Sequence, residues 1–260
     1  RKAYGRIVHL QPLVWQDDWP VIGNDADNDG VGEPVYVHQK PKTSKPGSVK
    51  TQPTTDEFND QRYGLQWQWN ANQQDNWFSW EAKSHIRLHA QMKMLETGNN
   101  LWMTPNLMLQ KLPAQQFQVR MRMTVPSNTF ALESGLLLFG EDYAWAGVKA
   151  ISGKPHLVYV QCRNARTGCD ESVHDYGPVK HETIEFRYIM ASDSTAVFGY
   201  RYDDTEPFTV VGEQFIARRG RWVGAKTGIF AVTNPLIKVD TGSQNYVDVD
   251  YVRFIPMHRK

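Results

Sequence analysis

Alternation of apolar and polar residues at period two recurs along almost the whole chain, and helical periodicity almost nowhere. "QFQVRMRMTV", "TIEFRYIMA" and "NYVDVDYVRF" each put every second side chain on one face, the pattern of a strand with one face buried. "SGLLLFG", "AWAGVKAI", "HLVYVQC", "AVFGYRY", "FTVVG" and "KTGIFAV" add short strands bounded by Gly, Pro, Asn, Asp or Ser. Many short strands at near-regular spacing predict an all-β fold, an antiparallel sandwich or barrel.

Two further stretches fit that frame. "HIRLHAQMKML" alternates Ile86 and Leu88 against Arg87 and His89. "GLQWQWN" places Leu65, Trp67 and Trp69 on one face and Gln66, Gln68 and Asn70 on the other. At least one of the two tryptophans is expected in the core, which makes the polar face of that strand the better place for a ligand.

The front of the chain is different in kind. "RIVHLQPLVW", "DWPVIG" and "PVYVHQ" offer two or three strands, and a sheet that small is marginal in water. It is followed by "KPKTSKPGSVKTQPTT", without hydrophobic period and rich in Pro, Lys, Ser and Thr. The expected organisation is therefore a front piece over residues 1–41, a linker over 42–55 and a main domain over 56–256.

The 260 residues suffice for one large domain with an appendage. Lys and Arg number 29 against 28 Asp and Glu, so net charge argues against nucleic acid or an acidic membrane surface as partner. No run approaches the roughly 20 apolar residues that span a bilayer. "RKAYGRIVHL" has the charge of a signal peptide's start but no apolar stretch behind it. A chain that starts without Met is expected to be processed or a fragment.

Cys162 and Cys169 flank a turn-like NARTG. Either a disulfide closes this hairpin, as suits an exported protein, or two free thiols end their strands.

"DADNDG" supplies Asp25, Asp27 and Asp29 at the first, third and fifth positions of a calcium loop and the sharp-turn Gly30 at the sixth. The twelfth position should be a bidentate Glu and is Tyr36. Asp-Gly between strand-like runs is independently a hairpin signature, so a solvated hairpin tip is the preferred reading. A second cation site would pair Asp56 and Glu57 with Asp248 and Asp250, because first and last strands of sandwiches often lie side by side. From that set Glu57 and Asp250 are the candidate metal ligands, with exposed edge charges as the equally open alternative.

For catalysis the yield is thin. The eight His show no metal-binding spacing, and there is no nucleophile elbow and no phosphate-cradling loop. Adjacent carboxylates such as Asp17/Asp18 and Asp203/Asp204 point to opposite faces of a strand or solvate a turn.

Sugar binding asks for less: an aromatic face for the ring and amides or carboxylates for its hydroxyls. "QWQWNANQQDNWFSW" concentrates both, in a chain with 12% aromatic residues, 9 of them Trp. The candidate carbohydrate contacts are Gln66, Gln68, Trp69, Asn70 and Trp77, joined by Tyr143 and Trp145 from a second aromatic stretch.

"YGLQWQWNANQQDNWFSW", "HIRLHA", "LMLQKLPAQQFQVRMRM", "ESGLLLFGEDYAWAGV" and "VDVDYVRF" resemble the C-terminal β-sandwich that follows the five-bladed propeller in glycoside hydrolase family 43. The nearest likeness is to xylosidases and arabinofuranosidases whose sandwich is classed as carbohydrate-binding module family 91. The opening stretch resembles the end of that propeller, where DADNDG is an ordinary hairpin between blade strands.

The resemblance implies a concanavalin-like two-sheet jelly roll behind a propeller remnant. It also implies that the catalytic Asp, Asp and Glu belong to earlier blades, so the chain is not expected to be an enzyme by itself. Arg6 matches a Gly-Arg-Glu segment that lines the family's substrate pocket, but Ile7 stands where the Glu should be. An intact glucanase of concanavalin type would need a Glu-x-Asp-x-x-Glu strand, and "DVDYVRF" lacks that spacing.

The expected function is a noncatalytic carbohydrate-binding module of a family 43 xylosidase or arabinofuranosidase, taking xylan or arabinoxylan oligosaccharides. The alternative is a structural accessory domain that packs on the propeller and shapes its active-site rim. The expected partner protein is the parent propeller catalytic domain, with neither nucleic acid nor membrane. No cofactor is required, structural calcium being the one left open, and the expected location is secreted or periplasmic.

Overall fold

The computed structural model describes residues 3–6, 8–40, 42, 47, 51–238 and 245–257. They form two compact units, residues 6–51 and residues 1–5 with 52–260. Half of the linker expected at 42–55, residues 43–46 and 48–50, lies outside the described residues; its last residues pack on the main unit, where Thr54 O accepts Gln110 Nε2 at 3.0 Å.

In the smaller unit, β1 (Leu13–Gln16) and β2 (Trp19–Ile22) pair as an antiparallel hairpin. Its tip is Asp17–Asp18, both with positive φ, the turn that matches the twist of the strands. The DADNDG stretch is instead the loop that follows β2, closed by a bridge between Asn24 and Glu33. No third strand forms at "PVYVHQ", where Tyr36 is fully exposed.

The larger unit is an antiparallel sandwich. In chain order its strands are β3 (Gln68–Trp69), β4 (Phe78–Ala82), β5 (His85–His89), β6 (Gln91–Met92), β7 (Met108–Lys111), β8 (Phe117–Thr124) and β9 (Leu132–Phe139). They continue as β10 (Tyr143–Ile151), β11 (Lys154–Cys162), β12 (Ser172–Pro178), β13 (Thr183–Met190), β14 (Thr195–Arg201), β15 (Thr209–Ile216), β16 (Lys226–Thr233) and β17 (Tyr246–Pro256). One sheet runs β12-β11-β10-β9-β16-β7-β3, with β6 added in parallel to β16. The other runs β15-β14-β13-β8-β17-β5-β4.

The second sheet obeys the period-two pattern. Phe117, Val119, Met121 and Met123 of β8 point into the core, while Arg120 and Arg122 stay half-exposed on the outer face. Ile86 and Leu88 are buried as their alternation predicts. The core lies between the sheets and includes Leu136, Leu138, Ala146, Tyr159, Phe186 and Phe198.

The first sheet departs from it. β9 is buried at every position and β10 nearly so. A strand hidden on both faces reads as a continuous apolar run, and "SGLLLFG" is one. Leu137, Tyr143, Trp145, Val158, Val160 and Phe230 form a second core on the outer face, separate from the one between the sheets. At the centre of the sheet Gly135 and Gly147 face each other, and a Cβ on either would run into the backbone of the other strand.

The first residues also belong to the sandwich rather than to the front piece expected over 1–41. Ala3 is buried and its carbonyl accepts Ala225 N at 2.6 Å, while Tyr4 Oη donates to Gln115 O at 3.1 Å.

Candidate functional site

The outer core of the first sheet is roofed by the loop between β6 and β7 and by the hairpin end that Cys162 and Cys169 close. The two sulfurs are bonded, with Cα atoms 6.4 Å apart. Asn100 holds the two pieces together: its amide donates to Cys169 O at 2.8 Å and Ala165 O at 3.3 Å, and its carbonyl accepts Trp102 N at 2.9 Å. Asn106 ties the far end of the roof to Ala231 O at 2.7 Å.

Under the roof sits a buried ionic network. Lys93 pairs with Glu133 and, at 2.8 Å, with Glu171; Lys149 also pairs with Glu133. Tyr143 Oη donates to Glu171 at 2.7 Å and accepts Leu101 N at 2.8 Å, and Trp145 Nε1 reaches the same carboxylate at 3.3 Å. Burial pushes the Glu133 carboxyl up, but the ammonium groups of Lys93 and Lys149 pull it down further and leave it below the usual value. Burial lowers Lys93 and its two glutamates more than reverse this, so it stays charged.

Tyr143 and Trp145 were expected near a sheet rim as sugar contacts, and the structure corrects this. Both side chains are fully buried with their polar atoms satisfied, because the roof covers the face they occupy.

The other candidates gather at one end of the sandwich. Trp77 is also buried, in a ring cluster where Trp69 meets it edge-on at 5.3 Å and stacks on Phe78 at 5.7 Å. Trp69 keeps a partly exposed edge and donates Nε1 to Gln73 at 3.1 Å. Trp67 is core, but Leu65 is 103% exposed, because residues before Gln68 turn rather than extend. Gln68 is exposed; Gln66 is half-buried and its amide contacts Thr55 O at 3.4 Å. Asn70 is committed to the roof, donating to Thr104 O at 2.9 Å.

The expected neighbourhood of the first and last strands is real: Asp56 bridges to Val252. Its carboxylates are nevertheless claimed by protein groups. Asp56 accepts Phe58 N, Gly64 N and Trp67 Nε1 at 2.8–3.0 Å. Glu57 receives a two-pronged Arg253 at 2.7 and 2.8 Å, and Asp248 the same from Arg87. Asp250 lies 3.5 Å from Arg122, its carboxyl pushed up by burial against that pull. Glu57 and Asp250 therefore each face an arginine rather than each other. In the smaller unit, Asp25, Asp27 and Asp29 do bring carboxylate oxygens within 4.8 Å of one another, although Asp25 also accepts Asp29 N and Gly30 N.

One open feature was missed in the sequence. A hollow of 270 Å³ lies beside Asn70, with Trp102 and Phe139 stacked at 5.7 Å, Lys226, and the loop carrying Trp222 and Val223. Trp222 is 63% exposed. Burial, and then Lys111 opposite it, hold the Lys226 ammonium below its ordinary value. The hollow offers aromatic faces with one amide and two cations, Arg221 and Lys226, at the edge, suited to an apolar side chain or the flat face of a sugar.

Comparison with known proteins settles the family. Residues 55–255 match the model of the β-xylosidase C-terminal concanavalin A-like domain of glycoside hydrolase family 43. The chain belongs to this family. A β-xylosidase of Formosa agariphila is 29% identical over 272 residues, 96% of this chain and 43% of that protein. A putative β-xylosidase of Xylanibacter ruminicola is 29% identical over 228 residues, 86% of the chain and 39% of that protein. The chain thus spans less than half the length of the curated relatives it matches.

Among solved structures, a xylan β-1,4-xylosidase from Bacillus halodurans superimposes on 95% of the chain with a TM-score of 0.71 at 17% identity, the match covering 46% of that structure. A family 43 protein of Bacillus licheniformis gives 0.71 at 20% identity over 96% of the chain and 47% of its own. At such identities the likeness speaks for the fold of this β-xylosidase C-terminal domain. No helix among the described residues is long and apolar enough to cross a membrane.

Proposed function

We propose that this β-xylosidase C-terminal domain is a noncatalytic accessory domain that docks on the catalytic domain of a family 43 xylosidase and shapes the rim of its active site. The observation that carries this is the closure of the first sheet's outer face. The aromatic side chains that could have made an open sugar-binding sheet are a second core under a roof. An end of the sandwich stays open, with the hollow and the exposed Trp222 and Val223. Tryptophan is enriched among the residues that anchor protein contacts.

The test is a graft of this domain behind a family 43 xylosidase catalytic domain, in place of that enzyme's own C-terminal domain. The graft is expected to support xyloside hydrolysis, and Trp222→Ala to lower it while the sandwich melts as before. Equal activity of graft and variant would overturn the docking role.

The hollow itself favours a second reading, in which the domain binds xylan-type oligosaccharides directly. Its stacked Trp102 and Phe139 beside Asn70 and Lys226 are the support. Saturable xylohexaose binding that is lost on Trp102→Ala would decide for it.

A further inference from the structure

The outer face of the second sheet carries a row of like charges. Arg187 of β13 is the cross-strand partner of Arg120 of β8, and Arg120 is in turn the partner of Arg253 of β17. Directly opposed residues on neighbouring antiparallel strands have Cα atoms about 4.5–5.5 Å apart, and like charges placed so repel.

Nearby carboxylates compensate part of the row. Glu57 holds Arg253, Asp250 faces Arg122, and Glu185 takes both Arg201 and Tyr251 Oη. Arg120 and Arg187 are the remainder: among the described residues no carboxylate pairs with either. Arg120 has the neutral Gln118, whose carbonyl, once its amide is turned to accept, takes Nη2 at 2.9 Å.

The row is held in place by an aromatic ring. Phe208 lies with the guanidinium carbons of Arg187, Arg201 and Arg120 at 4.1, 4.6 and 5.3 Å from its centroid. It can come down on the sheet because position 199 is Gly: a Cβ there would lie 2.8 Å from Thr209 O and 3.6 Å from Phe208 Cβ. Planar cations stacked on one ring are pre-organised forks for carboxylate. Arg187 also ends below its ordinary pKa, through burial and then through Arg120 and Arg201.

Three arginines converge where the protein supplies one carboxylate, in a chain whose net charge is only +1. We propose that the outer face around Arg120 and Arg187 binds the carboxylate of an acidic, uronate-bearing oligosaccharide. The floor is a sheet face lined with guanidinium planes and one ring. A carboxylated sugar, in a family of glycoside hydrolases, fits such a surface. This surface is separate from the Trp222 hollow and stands or falls independently of the docking role.

The test is calorimetric titration of the whole chain at low salt with tetragalacturonate and with xylotetraose. Tetragalacturonate is expected to bind saturably and more weakly as salt is raised, and xylotetraose not to bind at this face. Arg187→Gln and Arg120→Gln should each weaken binding at least about tenfold, the size of a charge-assisted hydrogen-bond pair. Arg253→Gln, which removes a guanidinium already held by Glu57, should stay within about threefold. Neither Arg187→Gln nor Arg120→Gln should lower the melting temperature at low salt, since each relieves repulsion. Absence of tetragalacturonate binding, or binding unchanged in both variants, would overturn the site. Equal capture of poly-L-glutamate, or tighter capture of a sulfated oligosaccharide, would overturn the assignment to a uronate carboxylate.

Discussion

The ammonium of Lys93 and a carboxylate oxygen of Glu171 lie 2.8 Å apart, with 0% and 2% of their side chains exposed. This pair joins the two pieces of the roof, since Lys93 opens the loop before β7 and Glu171 follows the closed hairpin end, while Lys93 also pairs with Glu133 of the sheet beneath. Removing one partner of a buried pair leaves an uncompensated charge and costs about 3–5 kcal/mol. Lys93→Met is therefore expected to lower stability by about that amount in denaturant titration, through the loss of the roof.

The same network sets a pH window. Glu133 is depressed in the folded state, so its contribution is present above the unfolded carboxylate value of about 4.3 and lost as pH falls through the folded one. Lys93 is raised, so its contribution is complete below about 10.4 and lost as pH rises through its folded value. Thermal melts across pH should show a plateau between these limits and a loss at both ends, and the Lys93→Met variant should lose most of the alkaline step.

Trp145 and Trp77 are packing residues in this structure, both buried. Truncation of a buried tryptophan costs about 3–5 kcal/mol. Trp145→Ala and Trp77→Ala should each lower the denaturation midpoint strongly, with no sugar affinity separable from that loss. Trp222→Ala, at an exposed position, should stay within about 0.5 kcal/mol of the parent.

The Cys162–Cys169 bond closes a short loop, with a sequence separation of 7. Loop-closure entropy assigns it about 2.5 kcal/mol. Reduction should lower the melting temperature by about 5–10 °C and raise amide exchange first in residues 163–171.

Chelation should leave the sandwich unchanged. Glu57, Asp248 and Asp250 face arginines rather than one another, so the melting temperature of the sandwich is expected to be equal with and without a divalent-cation chelator.

The second sheet was legible residue by residue, because one face is solvated and period two survives in "QFQVRMRMTV". The first sheet was legible as strands but not as doubly buried, although the unbroken apolar run in "SGLLLFG" carries that signal. Its consequence for function was hidden, because the roof that buries Tyr143 and Trp145 comes from a loop without period. The tight turn before Gln68 likewise defeated the alternation in "GLQWQWN" and left Leu65 in solvent. The arginine row was invisible for another reason: Arg120, Arg187 and Arg253 are distant in sequence and meet only through strand register.

The most direct test of the closed, docking sandwich is calorimetric titration of the chain with xylohexaose. No saturable heat is predicted, because the sheet face that would hold the sugar is a core. Saturable binding by the intact chain would contradict the account, and its loss on Trp102→Ala would assign the sugar to the hollow instead.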